Sequence, residues 1–226
     1  AGGVSGQLHL SYGAPTSLNG STLVRYIVQK STDNNTWTDI DTSTTTTYAA
    51  GNPKVISGLT DGVQVFIRVA AVTTAGTGAY ALAVNTPISL PGAPATVAAS
   101  SGDGYATVSW TAPASNGGSQ IIGYIITDTR GGVTETFTVT ALTSSFTINN
   151  NIVNGTPISI TVAAYNTAGT GPVANASTTP IGFPGQVGTI TATAGDQTAT
   201  VNFSSASFPG STVVSYSVSS STDGVN

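Results

Sequence analysis

A repeat of about 93 residues limits what this 226-residue chain can fold into more than any other feature. The segments LSYGAP at 10–15, VSWTAP at 108–113 and VNFSSA at 201–206 occupy one slot. Each leads through a Gly-containing turn into an apolar stretch with a tyrosine, Tyr26, Tyr124 or Tyr216. Farther on, IRVAAVTTAGTG at 67–78 returns as ITVAAYNTAGTG at 160–171, and TPISLPG at 86–92 as TPIGFPG at 179–185, both at an offset of 93. Tyr26 and Tyr124 lie 98 apart, so the first unit holds about five additional residues between its tyrosine and its VAA strand. The units read as 1–90, 91–183 and 184–226, and the middle one has the size of an ordinary small domain.

Within a unit, apolar and polar residues alternate with period 2. In unit two the apolar sets are Val108/Trp110, Ile122/Tyr124/Ile126, Phe137/Val139, Phe146/Ile148 and Ile158/Ile160/Val162/Ala164. The segments are rich in Val, Ile, Thr and aromatics and are separated by Gly, Asn, Pro and Ser. That pattern predicts half-buried antiparallel strands packed as two sheets, an all-β sandwich with almost no helix. The proline pairs at 87/91 and 180/184 cannot donate to a central ladder and are read as short stiff crossings between sandwiches.

Unit one leads directly into the strand ending at Tyr12, so it is expected to lack its first strand. Unit three is expected to hold only the first three strands of a sandwich. A three-strand remnant leaves its apolar face uncovered, so the chain reads as a window on a longer tandem array. Strand exchange between copies does not complete unit three, because unit one begins with strands that unit three already has.

Composition narrows the chemistry. Charged residues are 6% of the chain, five Lys+Arg against nine Asp+Glu, with one His and no Cys. Five scattered cations on a net −4 chain do not neutralise a run of phosphates, so nucleic acid is not an expected partner. Thiol chemistry, disulfides and Cys-ligated metals are excluded outright. No apolar run approaches the ~18–20 residues of a membrane-spanning helix, and the residues from Ala1 onward are not expected to act as a signal peptide. No cofactor, metal or catalytic residue is expected.

The combination PGAP, VSWTAP, GG, IIGY and VAAYNTAGTG resembles bacterial fibronectin type III domains. Trp110 is similar to that family's core tryptophan, Tyr124 to the aromatic of its third strand, and Val162, Ala164, Asn166 and Gly169 to its sixth-strand run. The resemblance covers nearly the whole chain and implies seven-stranded sandwiches used for spacing and binding rather than chemistry. Two departures stand out. The core tryptophan is Tyr12 in unit one and Phe203 in unit three, and the family's corner tyrosine is replaced by Val65 and Ile158. Without that hydroxyl the corner is expected to be softer.

Few side chains qualify as sites. Trp37, Asp39 and Asp41 share one parity in NNTWTDID, with Ile40 on the other. If Ile40 points inward, an indole and two carboxylates lie together on an outer face, a platform for a sugar ring or a weak Ca²⁺ site. A bulge that swaps the parity would instead make Trp37 a cap on the core. His9, between Leu8 and Leu10, is expected to face solvent. The N-x-[ST] triplets at Asn19, Asn34, Asn154, Asn175 and Asn202 arise readily by chance in a chain this rich in Ser and Thr. Lys–Asn cross-links are excluded in unit two, which has no Lys; Lys30 and Lys54 leave them open in unit one, which lacks a Glu to assist. The run at Thr44–Thr47 reads as a polar loop or edge strand.

The sequence therefore predicts a non-enzymatic structural or spacer segment of an extracellular surface protein: a filament, adhesin or coat layer. Its partners would be neighbouring copies or other surface proteins, met along exposed strand edges with few guarding charges, and glycans are a further candidate. Carbohydrate-binding accessory modules of a secreted polysaccharide-degrading enzyme, or a virion fibre, are the alternatives.

Overall fold

The computed structural model describes residues 4–41, 47, 51–208, 210 and 212–221. Most of the threonine run at 42–47 lies outside the described residues. Every described strand pairing is antiparallel, and no described residue is helical.

In unit one, β1 (Leu8–Leu10) pairs with β4 (Lys54–Ile56) as one small sheet. The facing sheet runs β3 (Thr38–Asp41), β2 (Leu23–Ser31), β5 (Val65–Thr73), with β6 (Gly76–Thr77) and β7 (Ala81–Asn85) along the far edge of β5. Leu10, Val28, Ile56, Val65 and Ile67 form the core, with Leu8, Tyr12, Ile40, Leu59 and Val69 packed around it. His9 pairs with Val55 and is exposed, as alternation requires.

Unit two is a seven-stranded sandwich. One sheet is β12 (Ser145–Ile148), β9 (Tyr105–Pro113) and β8 (Pro94–Gly102); the other is β11 (Val133–Thr140), β10 (Gly123–Arg130), β13 (Ile158–Asn166) and β14 (Gly169–Thr178). The β10–β11 hairpin turns through Gly131 and Gly132, both at positive φ (54° and 84°), the geometry that two-residue hairpins demand. Alternation places Val108, Trp110, Tyr124, Ile126, Ile148, Ile158, Ile160, Val162 and Ala164 in one buried cluster. Each large aliphatic there contributes roughly 1.5–3 kcal/mol by leaving water. One member of the expected sets fails. Ile122 precedes β10 and is 47% exposed, while Ile121 packs against the core instead. Ile122 N donates to Tyr165 O, the residue that Gly123 pairs with, so the register slips by one at this point and the alternation breaks there.

Ile158 and Val65, in the corner-tyrosine slot, are both buried and open strands β13 and β5. Apolar packing therefore occupies the place of the missing hydroxyl. The prolines are not bare crossings either: Pro87 and Pro91 are fully buried, and Pro180 is buried while Pro184 is exposed.

Unit three shows one hairpin, β15 (Ile190–Gly195) with β16 (Thr198–Phe203), every residue of it exposed. The third strand expected around Tyr216 is not formed, although the Tyr216 and Phe203 rings meet at 4.9 Å. In unit one the equivalent strand β2 is held by ladders to β3 and β5; no described residue supplies such partners to Tyr216, so its backbone has nothing to pair with.

Candidate functional site

The platform suggested by Trp37, Asp39 and Asp41 is divided by a bulge. Asp39 pairs with Gln29 but Asp41 pairs with Val28, so β3 holds one more residue than β2 at that point. Val28 is fully buried, and the extra residue turns Asp41 with Ile40 toward the opposite sheet, where Asp41 meets Lys54 Nζ at 2.7 Å. Asp39 stays on the outer face and accepts from Gln29 Nε2 at 2.7 Å. The two carboxylates therefore cannot share a cation, and among the described residues no three His, Asp or Glu side chains gather as a metal site. Trp37 remains outside the core cluster, but its ring is occupied: the Arg68 guanidinium lies 3.9 Å from the indole centroid and 4.1 Å from the Tyr80 ring. Arg68 Nε also donates to Gln29 Oε1 at 2.7 Å. The result is a closed row, Tyr80–Arg68–Trp37 with Gln29 and Asp39, bound by cation–π contacts. It commits one face of the Trp37 ring to Arg68.

The second arrangement lies where units meet. Asp61, in the turn before β5, accepts from Gly6 N at 2.9 Å and Ser5 Oγ at 2.7 Å within unit one, and from Ser89 Oγ at 2.7 Å in the segment entering unit two. Burial pushes this carboxyl upward, but the donors Gly6, Ser5 and Ser89 outweigh it and hold it below the ordinary carboxylate value. Next to it, Gly62 N donates to Pro87 O at 2.9 Å. The turn at Asn116–Gly118 of unit two closes on the same spot. A Cβ on Gly118 would run into the backbone of Asp61 and Gly62.

The same joint recurs 93 residues on. Gly155 N donates to Pro180 O at 2.7 Å, Gly104 N donates to Asn154 Oδ1 at 2.9 Å, and Gly182 stands where Ser89 stood. Gly210, in the next unit's turn, comes against Gly155 and Pro180 as Gly118 does against Gly62. Two things differ: Asp61 with Ser5 becomes Asn154 donating to Asp103 Oδ1 at 2.7 Å, and the Ser89 hydroxyl has no counterpart at Gly182.

Asn166 anchors the entry to unit two. Its Oδ1 accepts from Ala168 N and Gly169 N, closing the β13–β14 turn, and its Nδ2 donates to Ser89 O and Asn116 O, both at 2.8 Å. One buried amide thus ties the turn, the inter-unit segment and the loop that meets Gly62, with every amide valence filled.

Residues 92–180 match the family model of the fibronectin type III domain. Among solved structures, a two-domain fibronectin type III segment of chicken tenascin is similar at 16% identity and a TM-score of 0.43, over 79% of this chain and 95% of that one. The FN1–FN3 domains of chicken CNTN1 are similar at 20% identity and a TM-score of 0.43, over 79% of this chain and 64% of that one. In the fibronectin type III match, Trp110 and Tyr124 pack at 5.2 Å in the core, in the places the resemblance implies.

The four charged residues of unit two all have structural duties. Asp103 serves the second joint. Arg130 pairs with the fully buried Asp128 and with Glu135 (2.8 Å), and donates to Asn150 O at 2.7 Å. Asn150 Nδ2 closes the ring on Glu135 at 3.1 Å. In unit one, Asp33 accepts from Ser31 Oγ and from the amides of Thr36 and Asn35, which drive its carboxyl far below the ordinary value.

Alternation and composition do not reveal the joint. Its signal was present: Asp61-Gly62 and Asn154-Gly155 lie 93 apart, each ahead of a strand, and Ser5 and Asp103 lie 98 apart. No pairwise pattern in a sequence says that these turns meet.

Proposed function

We propose that this chain is a non-enzymatic spacer segment of an extracellular surface protein, in which fibronectin type III-like units are held at a set mutual angle. The observation that carries the reading is the repeated close approach across successive boundaries, in which the Gly118 turn of unit two lies against Asp61 and Gly62 of unit one and Gly210 of unit three lies against Gly155 and Pro180 of unit two. A flexible string of modules needs no such close backbone approach; a spacer that holds distance does. The surface fits the role. Thr, Ser, Gly and Asn hydrate the strands, while the charged residues of unit two are drawn into ion pairs and the joint, which leaves a neutral face with weak long-range fields. Strands of up to ten residues give about 30 Å per unit along the rod. An accessory glycan-binding role gains little from Trp37, since Arg68 already lies against its ring.

Small-angle scattering on dilute protein tests this. A single narrow distribution of maximum dimension, broadened by Gly118→Val, is the expected result. A broad distribution in the unmodified chain, typical of freely jointed units, would sink the spacer reading.

A further inference from the structure

Unit two closes one end of its sandwich with an internal ion ring. Asp128 is fully buried, Arg130 joins it to Glu135, and Arg130 also donates to Asn150 O at 2.7 Å. The ladders fix which residues stand there in unit one. Asp128 lies opposite Ile160 and Glu135; Lys30 lies opposite Ile67 and Thr38, and Ile67 and Ile160 are 93 apart. Lys30 therefore replaces Asp128, Thr38 replaces Glu135, and Thr32 replaces Arg130. The buried acid has become a base, and neither of its former partners carries a charge.

Without the ring, its place in unit one is a cleft of about 250 Å³ between the β2–β3 turn and the β4–β5 loop. Lys30, Thr32 and Thr38 all line it, facing Leu59, Thr60 and Val63. Lys30 is half-buried, and among the described residues no carboxylate comes within ion-pair distance of its amine. Asp33 is the other charge at the cleft. Its carboxylate is already engaged, accepting from Ser31 Oγ and from the amides of Asn35 and Thr36, which sets the shape of the turn. The walls belong to the β3 and β4 side of unit one, away from the side where β8 stands in unit two.

We propose that this cleft binds one ring of an acidic sugar, a uronate, whose carboxylate meets Lys30 as the carboxylates of unit two meet Arg130. The unpaired amine calls for a carboxylate, the pairing that unit two makes internally at the same place. Threonine hydroxyls both donate and accept, which matches the hydroxyls of a sugar. Leu59 and Val63 offer an apolar surface to the C–H face of the ring. A volume of 250 Å³ lies just below the roughly 300–1,000 Å³ of pockets for larger ligands, so a single ring is the fitting unit. Asp33 opposes further negative charge and so disfavours inorganic phosphate. The inference goes beyond the spacer reading and does not depend on the joint.

Titration of the 226-residue chain with sodium glucuronate, followed by two-dimensional NMR, tests it. Amide shifts should be confined to the residues that line the cleft and be absent with glucose or inorganic phosphate. Lys30→Met keeps the length of the side chain and removes its charge. It should weaken glucuronate binding about tenfold or more, the scale of one lost charge-assisted hydrogen bond. Lys30→Asp with Thr32→Arg and Thr38→Glu copies the ion ring of unit two, and should fill the cleft and abolish binding. Thermal unfolding verifies that this triple variant is folded; if it is not, Lys30→Met alone decides. Shifts elsewhere, no binding at all, or binding indifferent to Lys30→Met overturns the proposal. Glucose that binds as well as glucuronate also overturns it, because the carboxylate then has no part. Acetate or a glutamate-containing peptide that matches glucuronate overturns it as well, because the sugar then has none. Scattering dimensions, which test the spacer reading, should be the same with and without glucuronate.

Discussion

Ser89, in the segment that leads into unit two, meets Asp61 at the end of unit one, the serine hydroxyl donating to Oδ2 of the aspartate at 2.7 Å. The aspartate at the same time gathers Ser5 and Gly6 from its own unit. A carboxylate accepts several donors at once without supplying a proton, which suits it to a corner where three chain segments converge. In the next joint the amide of Asn154 has the place of the acid and Asp103 the place of Ser5. The geometry is kept and the titratable group is moved out of the centre.

Acid should therefore loosen the first joint and spare the second. The carboxyl of Asp61 is held below its model-compound value, so its contribution is complete above about pH 4 and is lost as pH falls through the lowered folded value. Inter-unit NMR contacts around Ser89 should weaken below that range while those around Gly155 persist. Asp61→Asn, which copies the second joint, should remove the difference; equal acid response in both joints would rule the account out.

Gly118→Val should open the first joint without unfolding unit two. The clash is with the backbone of Asp61 and Gly62 across the boundary, not with the core beneath. Scattering should show a larger spread of dimensions, and because Gly118 stands at φ 76°, where valine is strained, unit two should also lose about 1–3 kcal/mol while remaining folded. A lowered melting temperature with unaltered dimensions would place Gly118 in the core of its own unit.

Removing Arg130 should be costly. Asp128 is fully buried, and Arg130→Met leaves that carboxylate without its cation, a loss of about 3–5 kcal/mol in chemical denaturation. By contrast, Lys54→Met breaks a pair that is partly open to water and should cost about 1 kcal/mol or less.

Trp37→Ala should cost about 1–2 kcal/mol, the scale of a cation–π contact with its packing, and not the roughly 3–5 kcal/mol of a core aromatic. Its ring rests on Arg68 outside the buried cluster. Arg68→Gln should lose a similar amount, and the double variant less than the sum.

The candidate triad at Trp37 shows where reading by alternation stops. Parity placed Asp39 and Asp41 together, and one inserted residue between the pairs Gln29–Asp39 and Val28–Asp41 sent them to opposite faces. A bulge depends on how two distant strands align, and neither strand announces it. Ile122 fails for a related reason: its N–H donates to Tyr165 O, one residue out of step with the Gly123–Tyr165 pair, so the register slips beside it. The joint was illegible because Asp61 touches Ser5 and Ser89, residues separated from it by 56 and 28 positions, through contacts that no local pattern encodes.

The sequence by itself determined that the described chain is all-β, where most strands of unit two lie, and which residues form its core. Those follow from period-2 alternation of β-branched and aromatic residues, a local property that the pleat converts directly into burial. Only the tertiary structure decided which carboxylates share a face and how one unit locks onto the next. Both depend on register and on close backbone approach between segments remote in sequence, and these exist only once the sheets have formed.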